Sequence, residues 1–285
     1  MKTYKIALCA LTTFVVTLTA CTKYGNELSY VDYGTISVEL TDAPFPYDFV
    51  SEANVTIFKI DARLKGGEET EDESNFITLY EGDMTVNLLE LTNGITASMG
   101  ETEVPVGTYD LVRVYVNNGA VLLSDGVSYD LKVPSGEKTG IKVFVTPGIE
   151  VVSNLTSDLL LDFDVHKSFE PKGNINAVTE IIGFNFTPVI RAANMSTAGS
   201  LSGMVTSTIN DISTPIEGVT VSVLSGETIV ATTFTDATGG YKFLGLDAAT
   251  YTVNAEAMNY ITTSAEDVTV VAANETSLNF SMLAD

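Results

Sequence analysis

Tyr109-Asp-Leu-Val-Arg-Val-Tyr-Val-Asn-Asn-Gly-Ala-Val-Leu-Leu-Ser-Asp-Gly-Val-Ser-Tyr-Asp-Leu131 carries the pattern that decides the fold. Val112, Val114 and Val116 recur at period two, which puts them on one face of a strand. Ala120–Ser124 and Val127–Leu131 are then joined through Asp125-Gly126, a pair that suits a two-residue type I′ hairpin turn. Upstream, Thr35-Ile-Ser-Val-Glu-Leu40 alternates Ile36, Val38 and Leu40 with polar neighbours, and Asn54–Leu64 is strand-like again. Between them the two prolines of Thr41–Pro46 donate no ladder bonds, so this segment is expected to leave the sheet. Val86–Leu91 fits a strand or a single helical turn. Further strands are predicted at 141–145, 149–153, 158–164 and 181–190. After residue 21 no amphipathic run of helical period exceeds about two turns.

Composition narrows the function. The 285 residues suffice for about two domains, and 45% apolar content with 18% charged residues marks a folding chain. Fourteen Lys+Arg against 37 Asp+Glu give a net charge of −23. A surface of that sign repels phosphate backbones, so no nucleic-acid partner is expected. One histidine, His166, and two cysteines, Cys9 and Cys21, are too few for most zinc sites, thiol-redox motifs or histidine-based triads.

The first twenty residues read as a secretory signal peptide: Lys2 and Lys5 precede the apolar stretch Ile6–Leu18, which ends in small residues. The stretch is too short to span a bilayer. It closes on Leu18-Thr19-Ala20-Cys21, which resembles the bacterial lipobox. That resemblance implies lipid attachment at Cys21, cleavage before it, and membrane association through the lipid anchor, since two or three acyl chains hold a protein on a bilayer almost permanently. Thr22 follows in place of the Asp that resembles an inner-membrane retention signal, so the expected location is the outer membrane, periplasmic or surface-exposed. Residues 21–33 are then a lipidated tether. With Cys21 modified, no cysteine remains for a disulfide, and packing alone has to stabilise the mature chain.

Residues 34–193 form the first predicted domain and 194–199, polar and without apolar period, a linker. Over 200–285 short strands recur every 8–12 residues with Gly-rich turns: 201–206, 219–224, 228–234, 241–244, 251–257, 268–272 and 278–283. That spacing is the signal of a β-sandwich. The expected fold class is all-β, with two sandwiches in tandem.

Three stretches of the first domain, Gly34-Thr-Ile-Ser-Val-Glu-Leu-Thr-Asp-Ala-Pro44, Val133-Pro-Ser-Gly136 and Leu161-Asp-Phe-Asp-Val-His-Lys-Ser168, followed by Phe186-Thr-Pro-Val-Ile-Arg-Ala192, resemble the DUF4382 family of bacterial lipoproteins. The second domain resembles the carboxypeptidase regulatory-like family, a transthyretin-like sandwich. It does so through Leu201-Ser-Gly-Met-Val205, Pro215–Val223, Thr235-Asp-Ala-Thr-Gly-Gly-Tyr-Lys-Phe243 and Gly245–Val253. Such sandwiches are similar to carbohydrate-binding-like folds, which raises a sugar ligand by analogy of fold.

Several side chains invite a chemical role. Asp162 and Asp164 flank Phe163, so alternation puts both carboxylates on one face, about 7 Å apart at Cα. They could hold Ca²⁺ or act as an acid/base pair; the reading taken here is that they cap a strand end or face water. His166 reads as a surface residue. Asp42 is expected to accept backbone bonds in the turn it opens, and Asp236 with Thr238 to shape the turn before Gly239-Gly240. The acidic run 68–73 reads as a solvated hairpin loop. Tyr109, Leu111, Arg113 and Tyr115 alternate as an aromatic-basic face that could stack a ring but is expected to be covered by another sheet. Phe45, Tyr47 and Phe49 are expected to fold back on the sheet.

Taken together, these features lead to the expectation of a lipid-anchored cell-envelope protein with a binding or scaffolding role, with a glycan or an envelope protein as partner. No catalytic residue, metal site or cofactor is expected. The competing readings are a hydrolase using Asp162 and Asp164, and a structural subunit of a surface fibre built by strand donation.

Overall fold

The computed structural model describes residues 32–43, 45, 47–66, 75–133, 136–209 and 212–285. Cys21 and the acidic run 68–73 lie outside the described residues. In chain order the first sandwich contains β1 (Tyr33–Ala43), β2 (Val50–Leu64), β3 (Phe76–Asn87), β4 (Ala97–Pro105), β5 (Gly107–Leu123), β6 (Ser128–Lys132) and α1 (Gly136–Thr139). It continues through β7 (Ile141–Val151), β8 (Thr156–Asp164), α2 (Val165–Ser168), β9 (Phe169–Gly173), β10 (Ile181–Phe186) and β11 (Ile190–Asn194). One main sheet has the order β11-β8-β1-β4, with β1 and β8 parallel; the other runs β3-β2-β5, with β6 and β7 both beside β5, and β9 and β10 pair as a separate two-stranded sheet. The core between them holds Ile36, Val38 and Leu40 from β1, Val112, Val114 and Val116 from β5, and Leu159, Leu161 and Phe163 from β8. Phe45, Tyr47 and Phe49 pack against the same core, as their expected return to the sheet requires.

The second sandwich contains β12 (Ala198–Ile209), β13 (Ile212–Pro215), β14 (Thr220–Ser225), β15 (Thr228–Phe234), β16 (Gly240–Asp247), β17 (Thr250–Glu256), β18 (Thr263–Thr269), β19 (Glu275–Ser277) and β20 (Phe280–Met282). Its sheets are β13-β12-β16, with β19 and β20 alongside β12, and β15-β14-β17-β18. Val221, Val223, Tyr241, Phe243, Val253 and Phe280 fill its core. The chain is an all-β tandem of two sandwiches.

Four local expectations change. The Asp125-Gly126 hairpin is not a two-residue type I′ turn: of the pair only Gly126 has positive φ, at 87°, and its N–H donates to Leu123 O at 3.0 Å. One more residue enters the loop, and Gly126 takes the left-handed position that follows a three-residue turn. β1 stays in its sheet as far as Ala43, because Thr41, Asp42 and Ala43 pair with Asp162, Phe163 and Asp164 of β8. Val86–Leu91 is both alternatives in series, the end of β3 and then a 3-10 turn over Leu88–Leu91 capped by Asn87. Tyr109 leaves the face of Arg113 and Tyr115: the register of β5 slips between Tyr109 and Leu111, which turns the Tyr109 ring into the core.

β8 explains how the sandwiches meet. In Leu159-Leu160-Leu161 alternate residues face the core, so Leu160 must point outward, yet it is 2% exposed. It packs with Ala193 of β11 against Ala198, Met195 and Leu244. Gly245, at φ 66°, admits this contact, since a Cβ there would lie 3.0 Å from both Ala193 and Leu160. Between β11 and β12 there is only a turn at 195–197.

A charge-paired cleft between the two sandwiches

The outer face of β8 continues past Leu160 as Asp162 and Asp164, two residues apart each time, and both acids open into a cleft of about 580 Å³. The predicted shared face of the two carboxylates is thus present, although neither is free. Arg191 sits opposite Asp162 in the β8–β11 register and its Nη2 lies 2.8 Å from Asp162 Oδ2. Burial pushes the Asp162 carboxyl above its usual range, Arg191 pulls it back, and the charge of Asp164 adds to the rise. Asp164 caps α2, accepting from Lys167 N at 2.9 Å and from Lys167 Nζ at 2.6 Å. Asp42, buried on β1, accepts from Val165 N at 3.1 Å. That bond crosses from β1 to the start of α2. His166 is exposed on the cleft wall, its ring centroid 6.3 Å from that of Tyr47.

The opposite wall belongs to the second sandwich. Six consecutive residues of β15, Ile229–Phe234, line it together with Lys242, Phe243 and Leu244. Consecutive lining residues mean that the cleft meets this strand along its backbone edge, since a sheet face would contribute only alternate ones. Among the described residues β15 pairs only with β14 and so ends its sheet. Thr233 is buried there with its hydroxyl unpartnered. Lys242 is held by Glu275 at 2.9 Å, and Glu275 lies below its usual range because Ser202 and then Lys242 donate to it. One wall therefore carries two paired acids, while the other is aliphatic and hydroxyl-bearing along β15 with the paired Lys242 beside it.

A second link spans the sandwiches. Asn93, in the loop after the 3-10 turn, donates to Asp236 Oδ2 and to Gly240 O, each at 3.3 Å. Asp236 also accepts from Thr238 N at 2.8 Å, Thr238 Oγ1 at 2.6 Å and Gly240 N at 3.0 Å, which is the turn role expected of it. Sequence reasoning missed Asn93, Arg191, Lys167 and the β15 edge. Arg191 was detectable only through its register with Asp162, and the β15 edge only through the sheet order. Among the described residues no group of three or more His, Cys, Asp or Glu side chains is gathered to hold a metal, and no helix is long and apolar enough to cross a membrane.

No curated protein matches the chain. Among solved structures it is similar to a type II cohesin–X-dockerin complex from Acetivibrio cellulolyticus, an N-terminal interface mutant, at 27% identity and TM-score 0.25 over 30% of this chain and 58% of that one. The chain thus spans little more than half of that structure's length. It is also similar to GBS52, the minor pilin of Streptococcus agalactiae, at 11% identity and TM-score 0.27 over 87% and 96% of the two chains. A third similarity is to the shaft pilin SpaA of Lactobacillus rhamnosus GG in its D295N form, at 8% identity and TM-score 0.25 over 89% and 99%. The model of the carboxypeptidase regulatory-like domain matches residues 200–283, the second sandwich. The model of the domain of unknown function DUF4382 matches residues 33–179, more than half of the chain and most of the first sandwich, so the chain belongs to the DUF4382 family and carries a carboxypeptidase regulatory-like domain after it.

Proposed function

We propose that this protein is a non-catalytic binding module of the cell envelope, anchored through lipid at Cys21, that takes a glycan in the cleft between its sandwiches. The observation that carries the reading is the state of the cleft's charges. Asp162 is matched with Arg191, Asp164 with Lys167, and Lys242 with Glu275. A general base or nucleophile has to be available to the reacting atoms, whereas paired charges beside an aliphatic wall suit reversible contact with a hydroxyl-rich ligand. The competing hydrolase needs Asp162 and Asp164 to exchange these partners for substrate.

The test is a glycan array probed with residues 22–285 and with the Thr232→Trp variant, whose indole would fill the cleft. Binding by the first and none by the second supports the reading; glycans held equally by both would remove the cleft from it. The anchor is tested separately: Cys21→Ser should move the protein to the soluble fraction.

A second reading, a fibre subunit joined by strand donation, is favoured by β15. Its sequence Thr228-Ile-Val-Ala-Thr-Thr-Phe234 has no charge and no proline, and Ile229 is 59% exposed. Concentration-dependent assembly abolished by Thr232→Lys would favour it over the monomeric binder.

A further inference from the structure

The chain has only fourteen Lys and Arg residues, and four of them project from one sheet face of the first sandwich. Val112, Val114 and Val143 point into the core, so Leu111, Arg113 and Tyr115 of β5 and Lys142 and Phe144 of β7 point outward. Across β2 the same face carries Lys59, Asp61 and Arg63, and across β3 Phe76, which sits opposite Arg63. Contrary to the expected cover, among the described residues no other sheet lies on this face: Phe144 is 68% exposed, and Arg113 and Tyr115 are half-buried, in part by the turn into β7, where a Cβ on Gly140 would lie 3.1 Å from the Tyr115 ring and 3.2 Å from Arg113 Cβ.

Its cations lie on its aromatics. The Arg113 guanidinium is 3.8 Å from the Phe76 centroid, and Lys59 Nζ is 5.3 Å from that of Tyr115. Lys59 is also paired with Asp61 at 2.8 Å, and Arg63 with Asp110 at 2.9 Å. Among the described residues Arg113 has no carboxylate at ion-pair distance, and its Nε is buried without an acceptor. A guanidinium held over a ring, with the exposed Phe144 on the neighbouring strand, offers a planar fork for a carboxylate and an apolar plane for a sugar ring.

We infer that this face binds an acidic polysaccharide of the uronate type, Arg113 taking the carboxylate and Phe144 the pyranose face. Charge complementarity selects the ligand. The protein's overall negative field fades within about 8 Å at physiological salt, so at contact distance the local cations act on the carboxylate. A neutral glycan would leave Arg113 unused. This site is separate from the cleft and stands independently of the function proposed there.

The test titrates full-length mature protein with trigalacturonate and with its methyl ester, which keeps the rings and removes the charge. Binding of the acid, and at least tenfold weaker binding of the ester, is expected. Arg113→Gln should weaken binding of the acid about tenfold or more, and Phe144→Ala about threefold to tenfold. Thr232→Trp in the cleft should leave it unchanged. Should Arg113→Gln fail to fold, Phe144→Ala decides alone, since its side chain is largely in solvent. No binding of the acid up to about 1 mM, equal binding of acid and ester, or an unaltered affinity in Phe144→Ala would each overturn the inference.

Discussion

Tyr109 and Tyr251 make the same bond in the two sandwiches: each hydroxyl donates to the carbonyl four residues upstream, Pro105 at 2.9 Å and Asp247 at 2.8 Å. Each Tyr follows a Thr at the start of a strand, β5 or β17, and each is buried. The bond pins the corner where the chain crosses between sheets, the device known from other Greek-key sandwiches as the tyrosine corner. Two domains without sequence likeness have thus closed their sandwiches the same way.

The buried phenols make an alkaline limit to stability. Burial pushes Tyr109 up to about 12, and raises Tyr241 and Tyr251 as well. In the unfolded chain each titrates near about 10. Their contribution is therefore complete below about pH 10 and is lost as the pH climbs toward 12. Thermal midpoints should fall across that window, and Tyr109→Phe should flatten the fall while costing about 1 kcal/mol at pH 7 for the lost bond to Pro105. An unchanged alkaline slope in this variant would refute the assignment.

Asn93 and Asp236 should separate domain stability from domain orientation. Asn93 has φ 58°, so Asn93→Gly keeps the backbone while removing the amide that reaches the second sandwich. Its thermal midpoint should barely move, while hydrogen exchange rises in Thr232, Thr233 and the turn at Gly239. Asp236→Ala also removes the three acceptor bonds that shape the turn, and should cost about 1–2 kcal/mol. The Thr238 hydroxyl, more than any other group, holds Asp236 below its usual range. Its contribution is therefore present above about pH 4 and disappears as the pH drops through the folded value. Parallel exchange profiles in wild type and Asn93→Gly would show that Asn93 does not hold the sandwiches together.

The strands were legible because alternation in Thr35–Leu40, Val112–Val116 and Val219–Val223 records one buried face. Where a strand is buried on both faces the pattern blurs. Leu159-Leu160-Leu161 reads as unbroken apolar sequence because Leu160 is covered by the second sandwich, a contact that no local period announces. Bulges have a similar effect, since the slip at Asp110 moves Tyr109 from the outer face to the core. The cleft was half visible: Asp162 and Asp164 followed from period two, but Arg191 is 29 residues away and meets Asp162 only through the pairing of β8 with β11.

Asp162 should be nearly dispensable for stability at neutral pH. Its carboxyl lies above the usual range, chiefly through burial, so it contributes stability at pH below about 4 and loses it as the pH rises through the folded value. Asp162→Asn keeps the shape, and Arg191, 40% exposed, can be solvated once its partner is neutral. The unfolding free energy in urea should change by no more than about 1 kcal/mol at pH 7. Arg191→Leu, which leaves the carboxylate without its cation, should cost more. The reverse order would mean that the Asp162 charge stabilises the junction.

Gly203 tests why the second sandwich begins Leu201-Ser-Gly-Met-Val205. On β12 the backbone of Leu278 crosses directly over Gly203, so that an added Cβ would collide with the Leu278 carbonyl and lie 3.0 Å from the Tyr241 ring. That carbonyl also accepts the Tyr241 hydroxyl at 2.7 Å, while Leu278 N donates to Ser202 O at 2.8 Å. No side-chain rotation relieves a clash with backbone, so Gly203→Ala must move the link between β19 and β20 and strain both bonds. The expected loss is about 3 kcal/mol or more, an overpacking strain compounded by a buried phenol left without its acceptor. Because Gly203 lies outside the first sandwich, calorimetry should show the second sandwich melting earlier while the first keeps its transition. A variant as stable as wild type would mean that Leu278 does not sit against β12.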